Sequence, residues 1–210
     1  AIDGRFAFVA DSAGGVKILD LGNPEFPVVV DRIYTEDMVV DLAINNGNLF
    51  LADYDGGWWI FDIFPMTSPY ELAPVKMSHV ETPGLVHGIA ISGHHTYVSD
   101  WLSGMHVYDI SNLRDPVLVA TLPTGDATWH VQINGDRAYV ADRYAGLLIA
   151  DISTPSQPQI LGTFQTPDRA VKLSVAGNIA LVACWESGLQ VVNVSNPSAP
   201  FLVDSFPSRD

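Results

Sequence analysis

The chain has 210 residues, 48% of them apolar, which is enough to pack a core and excludes a disordered polymer. Acidic residues number 24 against ten basic ones, and the formal net charge of −14 repels phosphate backbones and anionic lipid, so nucleic acid is not an expected partner. No apolar run approaches the roughly 20 residues of a membrane helix, no basic-then-apolar leader opens the chain, and the single cysteine, Cys184, rules out an internal disulfide and a cysteine metal site.

From the N-terminus onward one unit recurs five times. Its glycine turns are Gly15, Gly57, Gly104, Gly146 and Gly188. Four residues before each stands Asp11, Asp53, Asp100, Asp142 and finally Cys184. Five residues after each stands Asp20, Asp62, Asp109, Asp151 and finally Asn193, and seven further on come Pro27, Pro69, Pro116, Pro158 and Pro200. The period is 42 residues, lengthened to 47 between the second and third glycines. In the fourth unit, short β-branched and aliphatic runs at 131–133, 138–141, 147–152 and 159–164 predict four strands, the first two joined by an Asn134-Gly135 hairpin. No window shows a helical period.

Four antiparallel strands per unit of roughly 40 residues is the pattern of a propeller blade. The predicted fold is therefore an all-β propeller of five four-stranded antiparallel blades of about 42 residues. It forms a single domain over 1–210, with blades near 1–35, 36–80, 81–123, 124–165 and 166–210. Blade one begins with only the end of a first strand, Ala1-Ile2-Asp3-Gly4, and the last blade ends after a fourth strand. The ring either closes on itself at five blades or is part of a larger propeller. Closure at five is favoured at this length, because an open arc leaves apolar blade faces uncovered.

The third strands read Val16-Lys17-Ile18-Leu19-Asp20, Trp58-Trp59-Ile60-Phe61-Asp62, Met105-His106-Val107-Tyr108-Asp109, Leu147-Leu148-Ile149-Ala150-Asp151 and Leu189-Gln190-Val191-Val192-Asn193. With turns such as Ser195-Asn196-Pro197, they resemble the LVIVD repeat. The resemblance spans essentially the whole chain and implies a bacterial or archaeal β-propeller, exported or at the cell surface. It carries no reaction, since the repeated positions are structural.

The repeated aspartates suit turn-amide acceptors better than a calcium site, because Cys184 and Asn193 replace two of them. Five extra residues in the second unit fall in the segment 70–80, which includes Tyr70 and Pro74. They predict an outer-edge bulge, or a ledge for a partner.

Alternating strand direction places the entry to each first strand and the loop between strands two and three on one face. The position after each repeat acid holds Ser12, Tyr54, Trp101, Arg143 and Trp185, followed by Ala13, Asp55, Leu102, Tyr144 and Glu186. At the inner-strand mouths stand Asp41, Gly88, His130 and Lys172, preceded by Val40, His87, Trp129 and Val171. Tyr54, Trp101, Trp129, Arg143, Lys172 and Trp185 are accordingly the candidate ligand-binding residues. They combine flat aromatic platforms with charges that suit a glycan or a protein partner. The bland alternative is that these aromatics fill gaps between blades.

Asp41, His87 and His130 are the candidate metal ligands, two imidazoles and a carboxylate such as a divalent metal ion takes in a hydrolase or oxidoreductase. No local spacing supports that set. His94 and His95 belong to the opposite face, and His106 reads as packing within a third strand. The chain carries no nucleophile elbow, phosphate loop or dinucleotide fingerprint. The expectation is thus a binding or scaffold module without a cofactor. The alternatives are a metal-dependent enzyme, or a structural piece of a larger chain or extracellular assembly.

Overall fold

Short runs of β-branched and aromatic residues, each stopped by glycine, proline or an Asn-Gly pair, leave no stretch for a helix and fold as strands. The computed structural model describes residues 1–63 and 74–208. The first sheet holds β1 (Ile2–Asp3), β2 (Phe6–Ala10), β3 (Val16–Asp20) and β4 (Val28–Ile33). The second holds β5 (Asp41–Asn45), β6 (Asn48–Ala52), β7 (Trp58–Asp62) and β8 (Val75–Val80). The third holds β9 (Val86–Ser92), β10 (His95–Asp100), β11 (Met105–Asp109) and β12 (Val117–Leu122). The fourth holds β13 (His130–Asn134), β14 (Arg137–Asp142), β15 (Gly146–Asp151) and β16 (Gln159–Phe164). The fifth holds β17 (Ala170–Ala176), β18 (Ile179–Cys184), β19 (Gly188–Asn193) and β20 (Phe201–Phe206). Each sheet is an antiparallel meander in sequence order, a propeller blade, and no helix among the described residues is long and apolar enough to cross a membrane.

Every blade bends its outer strand at the same place. The ladder between third and fourth strands shifts register at Ile18/Leu19, Ile60/Phe61, Val107/Tyr108, Ile149/Ala150 and Val191/Val192. A bulge there adds twist and spoils the edge as a template for further pairing. The bulge expected in the second unit alone is therefore a repeat-wide feature. That unit's extra residues fall between β7 and β8. Most of this connection, 64–73, lies outside the described residues, and the ledge reading at Tyr70 lies outside them too.

Alternation along β2 and its counterparts decides how blades meet. The residue three before the repeat acid reaches forward into the next blade. Phe8 clusters with Leu49 and Leu51, Phe50 with Val86 and Val98, Tyr97 with Val131 and Val140, and Tyr139 with Leu173 and Val182. The residue two before the acid reaches back, and Leu51, Val98, Val140 and Val182 are fully buried in those same clusters. At the two ends of the array the same positions are uncovered: Val9 is 44% exposed and Leu181 is 39% exposed. The inner strands β5, β9, β13 and β17 pack in succession, with no equivalent packing of blade five on blade one among the described residues. Of the two predicted arrangements, the open array is the one that forms. The closed five-bladed ring would bury Val9 and Leu181.

The repeat acids tie successive blades together. Asp53 accepts hydrogen bonds from Thr35 Oγ1 at 2.5 Å, the Glu36 amide at 3.2 Å and Trp59 Nε1 at 2.9 Å. Asp100 accepts from Thr82 Oγ1 at 2.7 Å, the Gly84 amide at 3.0 Å and His106 Nε2 at 2.9 Å. Asp142 accepts from Thr124 Oγ1 at 3.0 Å and the amides of Gly125 and Asp126 at 2.9 and 3.2 Å. The threonine hydroxyls and the amides come from the connection that leaves the preceding blade, while Trp59 and His106 donate from the acid's own blade. The second repeated acid serves its own turn: the amides of Gly22, Ser111 and Ser153 donate to Asp20, Asp109 and Asp151, and that of Ser195 donates equally well to the neutral Asn193.

Candidate functional site

The residue after the repeat acid has a backbone task in four blades. Ser12, Tyr54, Trp101 and Arg143 adopt left-handed conformations with φ of 51°, 44°, 49° and 36°. Their carbonyls accept the amides of Val39, Val86, Thr128 and Ala170 at 3.2, 2.9, 3.1 and 2.9 Å, each at the entry to the next blade. Such a conformation costs an ordinary L-residue roughly 1–2 kcal/mol and suits glycine or asparagine best. The inter-blade fastener explains the backbone, since Ser12 shares it. It does not explain why tyrosine, tryptophan and arginine occupy the position.

The side chains converge. His87, the second residue of β9, has its ring centroid 5.1 Å from Tyr54, 4.8 Å from Trp101 and 5.3 Å from Trp129. Trp101 and Trp129 lie 5.7 Å apart, and Trp129 meets Trp185 edge-on at 6.2 Å. The Arg143 guanidinium lies 5.6 Å from the Trp101 ring and 4.8 Å from Tyr144, and that of Arg169 lies 4.7 Å from Trp185. Loops of four blades thus build one continuous row of rings with two arginines laid on it. Arg169 and Tyr144 are members that the candidate set lacks. Arg169 directly precedes Ala170, the fastening position, and that adjacency is its only signal in the sequence.

The inner strands close in beside this row. A Cβ on Gly88 would stand 3.0 Å from the His130 Cα, so β9 and β13 meet at backbone contact there. Below, β5, β9 and β13 line a central cavity of about 390 Å³. At its mouth Asp41 Oδ2 accepts the Ile89 amide at 3.1 Å, and Lys172 Nζ lies 3.8 Å from Asp41 Oδ1. A larger cleft of about 470 Å³ opens between blades four and five, lined by Arg137, Asp151 and Gly177, and has only Tyr139 as an aromatic wall.

Asp41, His87 and His130 are not brought together as a ligand set. Asp41 is turned to Ile89 and Lys172, and His87 is packed among rings with its Nδ1 2.9 Å from the Leu85 carbonyl. Among the described residues no group of three or more His, Cys, Asp or Glu is placed to hold a metal ion. His106, as expected from its strand position, is a buried packing residue, bridging Asp100 and Thr121.

Burial among the rings pushes the His87 imidazole below its usual 6.5, only partly offset by the Leu85 carbonyl. His130 is lowered too, by burial first, against the pull of Asp41. A histidine lowered in the folded state contributes stability that is complete above 6.5 and is lost as the pH falls through its depressed value. Thermal unfolding is therefore expected at lower temperature near pH 5 than near pH 7.5. His87→Phe, which keeps a ring in the stack, should flatten part of that slope. An unchanged slope in the variant would remove His87 as its source.

The LVIVD repeat matches residues 1–35, 83–124, 125–166 and 168–207. The chain belongs to the LVIVD repeat family. The unmatched blade, with β5 to β8, has the same four-strand organisation as its LVIVD neighbours. Among curated proteins nothing matches the chain. Among solved structures it resembles the computationally designed Ika8 protein at 12% identity and a TM-score of 0.75, over 98% of this chain and 60% of that one. It also resembles a Bacteroides fragilis protein assigned as a 6-phosphogluconolactonase, at 13% identity and a TM-score of 0.82, over 97% of this chain and 67% of that one. A third likeness is to the Myceliophteria thermophila Cps50 (Swd1) β-propeller domain, at 13% identity and a TM-score of 0.74, over 98% and 70%. The LVIVD chain thus spans 60 to 70% of the length of these three structures. At such identities the likeness shows the fold alone.

Proposed function

We propose that this LVIVD-repeat propeller is a non-catalytic binding module of an exported or cell-surface protein, and that it presents its aromatic and charged rim to a glycan or protein partner. The observation that supports this reading is the row Tyr54–His87–Trp101–Trp129–Trp185, assembled from four blades at positions where the backbone asks for none of those side chains. Rings that only filled gaps between blades would end up covered. Trp185 is instead 56% exposed, and Leu102 and Tyr144 are exposed beside the same loops. Apolar platforms rimmed by charge are how proteins hold amphipathic ligands such as sugars.

Trp101→Ala and Trp185→Ala are each expected to weaken binding by roughly tenfold or more. The reading is tested by screening the wild-type chain on a glycan microarray, then titrating the hits against both variants. Trp185 is too exposed for its loss to unfold the blade, so that variant separates binding from stability. Hits that ignore both substitutions would sink the proposal.

A further inference from the structure

Resting on the binding-module reading, we infer that the rim takes an acidic glycan, a short oligosaccharide whose carboxylate lies between Arg143 and Arg169 while its sugar rings face the tryptophans. The first support is an imbalance of hydrogen-bonding groups. Trp129 Nε1, Arg143 Nε, Arg169 Nε and His130 Nδ1 are buried without a hydrogen-bond partner among the described residues. The first three can only donate. Several acceptors in the same loops are already engaged, while the carboxylates of Asp55 and Glu186 are exposed. Asp126 and Asp168 each give an oxygen to the amides of Tyr144 and Glu186, at 3.1 and 2.7 Å. Asp142 receives three donors, and Asp41 receives the Ile89 amide. Those buried atoms lie out of a ligand's reach, but the partly exposed guanidiniums can only donate, and an ionised carboxylate, which only accepts, complements them.

The second support is the placement of the arginines. The Arg143 carbonyl accepts the Ala170 amide at 2.9 Å, and the Arg169 carbonyl accepts the Trp185 amide at 3.0 Å. Both guanidiniums therefore rise from one backbone junction between blades four and five. Each lies against aromatic faces, Arg143 on Trp101 and Tyr144, Arg169 on Trp185. A stacked guanidinium keeps its edge N–H groups in a fixed plane, which is the geometry that binds a carboxylate through two hydrogen bonds. Arg143 has no ion pair among the described residues, and the Arg169–Asp168 pair is long at 3.8 Å. Lys172, its side chain 63% exposed, adds a third cation at the mouth. The chain has only ten basic residues against 24 acidic ones, so three cations on one rim, two of them only loosely paired at 3.8 Å, are not the background of its surface. The overall charge of −14 opposes a long polyanion, but beyond about 8 Å it is screened at physiological salt, so a short acidic ligand meets chiefly the local field.

The test is calorimetric titration with three probes of equal length: an oligogalacturonate, the same oligomer with its carboxyls reduced to alcohols, and a sulfated oligosaccharide. The oligogalacturonate is expected to bind roughly tenfold or more tightly than the reduced oligomer, and less tightly as salt is raised. Arg143→Gln/Arg169→Gln should remove that advantage, bringing the two probes to equal affinity. Lys172→Gln, at an exposed position, should weaken the acidic probe more than the reduced one and guards against a misfolded double variant. Equal affinity for the reduced oligomer overturns the acidic assignment while leaving the binding module standing. Preference for the sulfated probe overturns the carboxylate. No Trp185-dependent binding of any probe overturns the inference, and only a silent glycan microarray as well would take the binding-module reading with it.

Discussion

Asp100→Ala is expected to destabilise the fold by about 3 kcal/mol or more, with the urea midpoint falling and the slope unchanged. Asp100 is fully buried and accepts from Thr82, the Gly84 amide and His106. Alanine leaves all three donors without a partner, and each buried orphan costs roughly 1–3 kcal/mol. The damage is not local to the third blade, since Thr82 and Gly84 belong to the connection that delivers the chain from β8 to β9. Burial alone would raise the Asp100 carboxyl, but His106, Thr82 and the Gly84 amide outweigh it and hold the group below 3.8. A lowered carboxylate contributes stability above its unfolded value and loses it as pH falls through the folded one, so this contribution disappears only below about pH 3.8. Asp142 differs in sign. It lacks a histidine donor, burial prevails, and its carboxyl is raised above 3.8. Its charge is held less firmly than that of Asp100, and Asp142→Asn should therefore cost less than Asp100→Asn. Asp109→Ala is the control: that carboxylate stands at a strand end and accepts from Ser111, and little change is expected. Equal losses in Asp100→Ala and Asp109→Ala would show that the inter-blade bonds contribute nothing.

The blade could be read in the sequence because its determinants are local. The strands expected in the fourth unit fall within one residue of β13 to β16, for each is bounded by a glycine, proline or Asn-Gly pair that acts on its immediate neighbours. The gathering of Tyr54, Trp101, Trp129, Arg143 and Trp185 followed from strand direction alone. What the sequence reading missed depends on what one blade does to another. Thr35, Thr82, Thr124 and Thr166 recur 18 residues before Asp53, Asp100, Asp142 and Cys184, and the first three donate to those aspartates. The threonine repeat was visible, but a spacing of 18 residues across the connection between two blades does not by itself announce a contact. Openness was hidden for the same reason. Val9 and Leu181 have the apolar identity of their buried counterparts, and only coordinates show which faces lack a neighbour. His87 was a candidate only as one of two imidazoles beside Asp41, and its place in an aromatic stack depends on rings from other blades that no local spacing announces.

Gly146→Ala is expected to cost about 3–4 kcal/mol and to disturb the rim, a larger effect than at any glycine in the hairpins of the opposite face. Two costs combine at this turn. The backbone has φ of +86°, where an L-side chain costs roughly 1–2 kcal/mol. A Cβ would also stand 2.3 Å from the Phe164 carbonyl oxygen and 2.7 Å from the Thr166 nitrogen, and both are backbone atoms that cannot rotate aside. Relief requires β15 and β16 to part at their ends, which moves Gln165 and Thr166, the start of the connection to Arg169 and Ala170. Ala170 is bonded to the Arg143 carbonyl, so the junction that carries both arginines shifts with it. Gly135→Ala isolates the first cost: its φ is +58°, but nothing lies within 4 Å of the added carbon, and only about 1 kcal/mol is expected. Urea unfolding of the two variants measures the difference. Quenching of tryptophan fluorescence by acrylamide reports whether Trp101, Trp129 and Trp185 have moved, and it should change in Gly146→Ala alone. If the two variants lose equal stability, the close approach of Phe164 to the turn is not a feature of the folded chain, and the coupling from turn to rim falls with it.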